Sequence, residues 1–255
     1  MSRSILISGA GSGIGRAVAV DLTKTWPDAE FILVGRRAAP LEETANHLPK
    51  GKVTIVSASQ SNQKELAAAL KKIELPQRNL VAVIANAGIG GDNRYGGDDR
   101  WAEIIETNLS GTYYLVQECL PALLASPAKA KNVVIISSIL ARLGVPGYTA
   151  YCASKAGLLG LMRSYAATFA KKGLYFNAIC PGWVDTDMAR QGIQIMADAT
   201  KRPYEAALAE QMAYVPTGKM STPEEIASMA SYLITGPQTS FTGQCFDMNN
   251  GALMP

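Results

Sequence analysis

A tyrosine and a lysine four residues apart are the side chains best suited to acid–base chemistry in this chain. Tyr151 and Lys155 open a stretch of helical character. On a helix this spacing places both groups on one face, one turn apart. A nearby positive charge favours phenolate and lowers a phenol pKa of about 10. The pair can therefore act as a general acid–base, although the same spacing is common on ordinary helix surfaces.

A serine shortly before this pair could hold the oxygen of a substrate. Ser138 follows the apolar segment Val133–Ser137, at what we expect to be the end of a strand. The carboxyl ends of parallel strands face the ligand crevice of an open sheet. Standing alone, such a serine would be interpreted as a helix or turn cap. With Tyr151 and Lys155 it predicts a hydrogen bond to a reacting oxygen.

The single histidine excludes much alternative chemistry. His47 lies among polar residues near Pro49 and Gly51, where a surface position at a helix end is expected. A Ser-His-Asp hydrolase would have to use it, and a histidine-rich metal site is impossible. We therefore expect no metal cofactor.

A glycine-rich loop follows the first apolar segment, from Ser8 to Gly15. Gly9, Gly13 and Gly15 fit a GxxxGxG spacing. Glycines permit a tight turn and let a phosphate approach backbone N–H groups at a helix N-terminus. The loop predicts dinucleotide binding rather than a plain strand-to-helix turn.

The end of the second apolar segment bears on which dinucleotide binds. Gly35 stands where an NAD enzyme usually has a carboxylate for the ribose hydroxyls, and Arg36 and Arg37 follow it. A guanidinium suits a 2′-phosphate. We therefore expect NADP(H) to be favoured over NAD(H), the alternative being a solvated pair of charges at a strand end.

Apolar segments alternate with helical patterns along the chain. The candidate strands are Ser4–Ser8, Phe31–Val34, Val53–Val56, Leu80–Ala85, Val133–Ser137, Tyr175–Ile179 and Gln244–Met248. Most are continuously apolar, as expected of parallel strands covered on both faces. The alternation predicts an α/β fold, a doubly wound parallel sheet of about seven strands with helices on both faces, in one domain over residues 1–255.

One long helical segment without a strand interrupts the alternation. It spans residues 188–216 and is rich in methionine and alanine. Open α/β sheets place ligands near such insertions, so we expect it to be a substrate lid. The candidate substrate-facing residues are Ser138, Ile139, Leu140, Leu143, Tyr148, Trp183, Met188 and Met196, and the apolar ones offer no clamp for a phosphate or carboxylate.

Composition excludes several other classes of protein. The 255 residues carry a net charge of +3 and no basic run longer than a pair, so nucleic-acid binding is not expected. No apolar stretch is long enough to span a membrane, and the N-terminus does not fit a signal peptide. The four cysteines lack CxxC spacing and indicate a reducing compartment. We expect a cytoplasmic protein.

Further motifs give the chain a resemblance to the short, one-domain branch of the short-chain dehydrogenase/reductase family, over nearly its whole length. The motifs are the glycine loop, Asn86-Ala87-Gly88-Ile89, Asn108, Ser138, Tyr151 with Lys155, and Pro181-Gly182-Trp183-Val184-Asp185-Thr186. They occur in the family's order and spacing. The resemblance implies a Rossmann fold and an oxidoreductase that moves a hydride between a nicotinamide and a carbonyl or secondary-alcohol carbon.

The resemblance also assigns roles to residues. Tyr151 would donate the proton to the carbonyl oxygen and Ser138 would hydrogen-bond it. Lys155 would lower the tyrosine pKa and hold the nicotinamide ribose. Asn108 would kink its helix and anchor a water that links Lys155 to solvent. The cofactor would contact Gly9, Gly11, Ser12, Gly13, Ile14, Gly15, Arg36, Arg37, Asn86, Ala87, Gly88, Tyr151, Lys155, Pro181, Gly182, Val184 and Thr186.

Three positions depart from the family pattern. Ser59 replaces the usual acid that contacts adenine, and Val81 replaces the aspartate that usually starts the fourth strand. Ser12 stands where many NADP-preferring members carry a basic residue, which weakens the prediction of NADP without reversing it. Two alternatives therefore stay open, an NAD-dependent alcohol dehydrogenase and a non-catalytic dinucleotide-sensing protein, although a sensor would be expected to have lost Tyr151 or Lys155.

The helical segments also bear on assembly. The patterns around Trp101–Leu120 and Tyr151–Ala170 carry more apolar surface than one sheet face needs. Family members commonly pair these helices. The resemblance therefore implies a homotetramer.

Overall fold

The structure is a computed structural model that describes residues 2–93, 96, 98–237 and 239–254. Within these residues seven parallel strands form one sheet in the order β3-β2-β1-β4-β5-β6-β7. The strands are β1 (Ser4–Ser8), β2 (Glu30–Gly35), β3 (Val53–Ser57), β4 (Leu80–Ala85), β5 (Lys131–Ile136), β6 (Leu174–Pro181) and β7 (Cys245–Met248). The chain reverses direction across the sheet between β1 and β4, and ligands of open α/β sheets bind at such a point.

Helices cover both faces of the sheet. They are α1 (Gly13–Thr25), α2 (Ala38–Ala45), α3 (Gln63–Lys72), α4 (Trp101–Ile105), α5 (Gly111–Ala125), α6 (Thr149–Phe169), α7 (Asp187–Thr200), α8 (Tyr204–Ala213) and α9 (Pro223–Thr235). A π-helical turn, Glu106–Ser110, joins α4 to α5. Such turns are often found at functional sites.

Alternate residues of each strand enter two separate cores. In β1, Leu6 packs beneath α3, α5 and α6, whereas Ile5 and Ile7 pack beneath α1, α2 and α9. Both faces of the strand are therefore dry, which is why the strand sequences are continuously apolar. The expected doubly wound parallel sheet is confirmed, and its bounds differ from the expected ones by a few residues at β2, β3, β5, β6 and β7.

The long segment before α9 forms a third, smaller apolar cluster. Ile193 and Ala197 of α7 pack against Ala207 of α8, with Trp183 and Met196 partly buried beside them. This cluster is separate from the two sheet cores. The expected strandless insertion is therefore a helical hairpin, α7 and α8, at the carboxyl edge of the sheet.

Candidate active site

Tyr151 and Lys155 lie in the first two turns of α6, beside the carboxyl end of β5. The Lys155 side chain is buried, and its Nζ lies 5.6 Å from the centroid of the Tyr151 ring. Nζ donates a hydrogen bond of 3.0 Å to the backbone oxygen of Ile136, at the end of β5. The expected pairing of the two side chains on one helix face is what the structure shows.

Ser138 occupies the loop directly after β5. Its side chain lies near enough to the Tyr151 phenol to lower the pKa of that group, and its Oγ accepts a bond of 3.1 Å from the Leu140 backbone N–H. The neighbouring Ser137 donates from Oγ to the backbone oxygen of Lys155 at 2.9 Å, which ties α6 to the strand. Ser138 is thus both a turn cap and a partner of the phenol.

Burial changes the pKa values of the tyrosine and the lysine in opposite directions. It raises the pKa of Tyr151 to about 12, and Ser138 lowers it only in part. Burial lowers the pKa of Lys155 to about 8. Both shifts favour the neutral form of the group. This differs from the lowered tyrosine pKa expected from the sequence, because desolvation outweighs the lowering effect of Ser138.

Asn108 lies buried in the π-helical turn and faces the loop after β4. Its Oδ1 accepts from the Ile89 N–H at 2.8 Å, and its Nδ2 donates to the Ile89 oxygen at 3.0 Å and to Ser154 Oγ at 3.2 Å. A Cβ at Gly88 would lie 3.1 Å from Asn108 Oδ1 and 3.6 Å from Lys155 Nζ. Asn108 therefore holds the β4 loop against α6, next to the lysine.

The glycine loop between β1 and α1 is fastened from the side by Asn86. Asn86 Nδ2 donates to the backbone oxygens of Ser8 and Gly9 at 3.2 and 3.1 Å. A Cβ at Gly9, where φ is 64°, would lie 2.8 Å from the Ala87 backbone. The close packing of the two loops explains the need for glycine there.

The first turn of α1 has the features of an anion site. Ser12 is the N-terminal cap of α1 and makes no side-chain cap hydrogen bond. A Cβ at Gly13 would lie 3.1 Å from the Thr186 side chain. Backbone N–H groups at a helix N-terminus bind phosphate groups well. The residues present, with Gly11, Ile14 and Gly15 completing the turn, therefore fit a dinucleotide pyrophosphate.

Arg36 and Arg37 are exposed immediately after β2. Among the residues that the structure describes, neither guanidinium has an acidic partner at salt-bridge distance. The helix that follows them, α2, is bound to the glycine loop through Thr44, whose Oγ1 donates to the Ala10 oxygen at 2.8 Å and accepts from Arg16 Nε at 3.0 Å. The sequence analysis did not detect this buried link, because a lone threonine on a helix has no distinctive spacing.

The loop after β6 closes the opposite side of the crevice. Pro181 ends β6, and the Gly182 N–H donates to the Met248 oxygen of β7 at 2.9 Å. Val184 pairs with Ser221 in an isolated parallel bridge, and its side chain is buried in the sheet core. Only the backbone of Val184 is therefore available to a ligand. Thr186 caps α7 by accepting from the Ala189 N–H at 3.3 Å.

The expected substrate-facing residues fall into two groups. Tyr148 packs edge-to-face with Tyr151 at 6.5 Å between centroids, and Met188, 47% exposed, lies over Gly90 of the β4 loop. Tyr148 thus lies beside the Tyr151 ring, and Met188 lies against the loop after β4. Trp183 and Met196 instead pack in the α7–α8 cluster, Ile139 is buried, and Leu140 and Leu143 lie in the turn and loop after Ser138.

Two buried amides at the site escaped the sequence analysis. Gln60 donates from Nε2 to the oxygens of Ala87 and Thr107, both at 2.9 Å, and Asn93 bonds to the first turn of α6. Both residues lie in loops, where a polar side chain is ordinary. No signal in the sequence distinguishes them from solvated residues.

Comparison with known proteins decides the family. A family model described as short chain dehydrogenase matches residues 3–195. The chain belongs to the short-chain dehydrogenase/reductase family. It is therefore an NAD(P)-dependent oxidoreductase, as the resemblance of its motifs implied.

Curated relatives align over nearly the whole chain. The 3-oxoacyl-acyl-carrier-protein reductase FabG of Pseudomonas aeruginosa is 31% identical, with 98% of this chain and 96% of the relative covered. Nodulation protein G of Rhizobium sp. is 31% identical, with 99% and 97% covered. FabG of Staphylococcus aureus is 27% identical, with 100% and 99% covered.

Solved structures of other oxidoreductases have the same fold. A variant of actinorhodin polyketide ketoreductase with NADPH matches with a TM-score of 0.90 and 27% identity, covering 98% of this chain and 97% of that one. Aldohexose dehydrogenase of Thermoplasma acidophilum matches with a TM-score of 0.84 at 24% identity, covering 98% and 94%. The predicted Rossmann fold is confirmed. Among the described residues, none of the helices is long and apolar enough to cross a membrane.

Proposed function

We propose that this enzyme interconverts a ketone and a secondary alcohol with NADP(H), using Tyr151 as the general acid–base. The observation that carries the proposal is the grouping of three side chains: Lys155 Nζ lies 5.6 Å from the centroid of the Tyr151 ring, and Ser138 lies near enough to the phenol to lower its pKa. All three side chains lie at the carboxyl edge of the sheet, where parallel α/β folds bind ligands. The glycine loop that fits a pyrophosphate lies at the same edge.

The residues divide the chemistry among them. The glycine loop and Lys155 would hold a dinucleotide, which would supply hydride for reduction or take it up in oxidation. In reduction, the Tyr151 hydroxyl donates its proton to the substrate oxygen, and the Ser138 hydroxyl donates a hydrogen bond that stabilises charge developing there. Because its pKa is raised to about 12, Tyr151 stays protonated at neutral pH, which favours proton donation. Lys155 holds the ribose, and Asn108 keeps the β4 loop beside it.

The preference for NADP(H) rests on the end of β2. Gly35 offers no carboxylate, and the exposed residues Arg36 and Arg37 follow β2 directly. The ketoreductase of similar structure was solved with NADPH, which supports the same choice. NAD(H) is the alternative, because Ser12 adds no positive charge within the glycine loop.

The substrate proposal is a carbonyl compound with an apolar body. Tyr148 lies beside Tyr151 and Met188 against the loop after β4, and they offer contact area without a charge. FabG relatives are named for reduction of 3-oxoacyl groups, which supports ketone reduction as the working direction. A dinucleotide-sensing role without catalysis is disfavoured because Asn108, Ser138, Tyr151 and Lys155 are all present and packed together.

We further propose a cytoplasmic homotetramer. The four cysteines are free thiols, which supports a reducing compartment. Aromatic side chains remain exposed on α4 and α5, which supports pairing of these helices between copies of the chain.

Separate substitutions of the tyrosine and the lysine test the mechanism. Tyr151→Phe removes only the hydroxyl, so we expect turnover to fall by about a thousandfold or more while NADPH affinity is kept. Lys155→Ala should weaken NADPH binding together with turnover, because it removes a ribose contact. Ser138→Ala should chiefly lower turnover, by about a hundredfold. The measurements are steady-state kinetics on a ketone panel and NADPH binding by fluorescence.

The matched control is a tyrosine of the same helix away from the site. Tyr165 accepts a hydrogen bond from Gln117 and stacks on Phe176, so Tyr165→Phe also removes one hydrogen-bonded hydroxyl from α6. It should leave turnover close to that of the unchanged chain. A Tyr151→Phe enzyme with turnover as high as the Tyr165→Phe enzyme would eliminate the mechanism.

A further inference from the structure

The first turn of α6, which carries Tyr151, is fastened by a side chain from outside the helix. Asn93 lies buried in the loop after β4, and its Oδ1 accepts a hydrogen bond of 2.7 Å from the Ala150 N–H, 57 residues away in sequence. Tyr148, the cap residue of α6, makes no side-chain cap hydrogen bond. Asn93 therefore supplies the cap, on the residue directly before Tyr151.

The other polar groups of Asn93 fix its orientation. Its Nδ2 donates to Asp99 Oδ1 at 2.7 Å, and its backbone N–H donates to the Gly147 oxygen at 2.6 Å. The same Asp99 Oδ1 accepts from the Trp101 N–H at the start of α4, at 3.2 Å. One buried amide thus links the N-termini of α4 and α6 through the loop after β4.

We propose that Asn93 is a positioning residue for Tyr151, holding the first turn of α6 so that the phenol stays against Ser138. The proposal rests on the proposed function, in which Tyr151 is the proton donor. Helix N–H groups without a partner loosen the first turn. Lys155 lies one turn further along and is held independently by Ser137 and Ile136. Loss of Asn93 should therefore displace the tyrosine more than the lysine.

Asn93→Ala separates this role from a general structural one. We expect kcat to fall by about tenfold to a hundredfold, because small displacements of a reacting group are costly. The dissociation constant for NADPH should stay within about twofold, because Lys155 and the glycine loop keep their contacts. Loss of cofactor affinity in step with kcat would contradict the proposal.

The matched control removes an asparagine cap elsewhere. Asn62 caps α3 by accepting from the Glu65 N–H at 3.1 Å. Both Asn62→Ala and Asn93→Ala should lower the melting temperature. Asn62→Ala should leave kcat close to that of the unchanged chain. Equal effects of the two variants on kcat would overturn the positioning role.

A double substitution tests the same bond if Asn93→Ala does not fold. The double variant, Asn93→Asp with Asp99→Asn, keeps an acceptor for the Ala150 N–H. It also keeps a hydrogen-bond donor and acceptor facing each other at the two positions. Its kcat should therefore lie within about threefold of that of the unchanged chain. A folded double variant with low kcat would overturn the proposal.

Tyr151→Phe in the same assay distinguishes failure of the proposed function from failure of the positioning role of Asn93. If it is active, the proposed function fails; if it is inactive while Asn93→Ala is fully active, only the role of Asn93 fails.

Discussion

Tyr151 and Lys155 lie side by side and are both largely removed from water. Desolvation favours the neutral form of each group. The tyrosine keeps its proton to about pH 12, and the lysine loses its own near pH 8. At neutral pH the phenol therefore keeps its proton, and most of the lysine keeps its charge, so the tyrosine can act as a proton donor in reduction. Oxidation needs a phenolate, so this pair of shifts disfavours oxidation until pH rises or further positive charge enters the site.

The buried lysine should make stability depend on pH. Between about pH 8 and 10 the unfolded chain keeps a proton on Lys155 that the folded chain has lost, so the free energy of unfolding should rise with pH. We expect the unchanged chain to gain about 2 kcal/mol relative to Lys155→Met between pH 7 and pH 10. Urea unfolding of both proteins at the two pH values measures this difference.

The comparison with Lys155→Met cancels the contributions that titratable groups common to both proteins make to the free energy of unfolding. Tyr151 acts in the opposite direction, because above about pH 10 the unfolded chain loses the phenol proton first and stability falls. The measurements therefore stop at pH 10. Parallel stability curves for the two proteins would show that Lys155 is not shifted in the folded state.

Arg36 should determine the choice of cofactor. Arg36→Ala removes a charge-assisted contact to the 2′-phosphate, so we expect NADPH binding to weaken by about tenfold or more while NADH binding is unchanged. The control is Lys50→Ala, which removes an exposed cation from the turn before β3. It should change neither the NADPH affinity nor the NADH affinity. Equal weakening of both cofactors by Arg36→Ala, or tighter binding of NADH by the unchanged chain, would refute the assignment.

At the scale of elements, the α7–α8 hairpin packs as a separate unit. Its cluster of Ile193, Ala197 and Ala207 is small, and Met188 at its start reaches over Gly90. Elements with few apolar contacts open locally at low cost. This packing supports the expectation that residues 188–216 form a lid over the substrate.

Hydrogen exchange tests the lid. Amides of α7 and α8 should exchange faster than those of α5 without ligands, and they should slow when NADPH and a ketone are both bound. α5, which is packed in the sheet core, is the internal control. If α7 and α8 are protected to the same extent in the free and ternary states, the hairpin is ordinary scaffold.

The sequence predicted best those elements whose burial is uniform. β1 and β4 have the bounds expected from their apolar runs, because both faces are dry and no polar residue interrupts them. The π-helical turn at Asn108 was not predicted as such, since periodicity does not detect one extra residue in a helix. Asn93 and Gln60 were missed because their partners are backbone groups brought near only by the folded sheet.

The raised pKa of Tyr151 also could not be predicted from the sequence. Four-residue spacing indicates that the lysine is near, but the extent to which both groups lose water depends on β5, α6 and the loop after β4 together. The residue types at the site could therefore be identified from the sequence, whereas the balance of desolvation and charge attraction could not.

For the whole molecule, the exposed aromatic residues predict assembly. Trp101 and Tyr113 are 44% and 43% exposed on α4 and α5. Light scattering at micromolar concentration should give the mass of a tetramer. Tyr113→Lys should lower the measured mass, because it would bury an unpaired charge between copies of the chain. Tyr214→Lys, in the α7–α8 region, is the control and should not change the mass. A monomer mass for the unchanged chain would refute the proposal.

The bond from Gly182 to Met248 joins two parts of the chain that are made at different times. During translation the glycine loop, Ser138, Tyr151 and Lys155 leave the ribosome before β7 does. A nascent chain halted after α9 would therefore carry the proposed catalytic side chains and the turn proposed to bind phosphate, but its Gly182 N–H would lack the β7 acceptor. Activity should appear only once β7 is synthesised and paired with β6, so incomplete chains would not consume reduced cofactor.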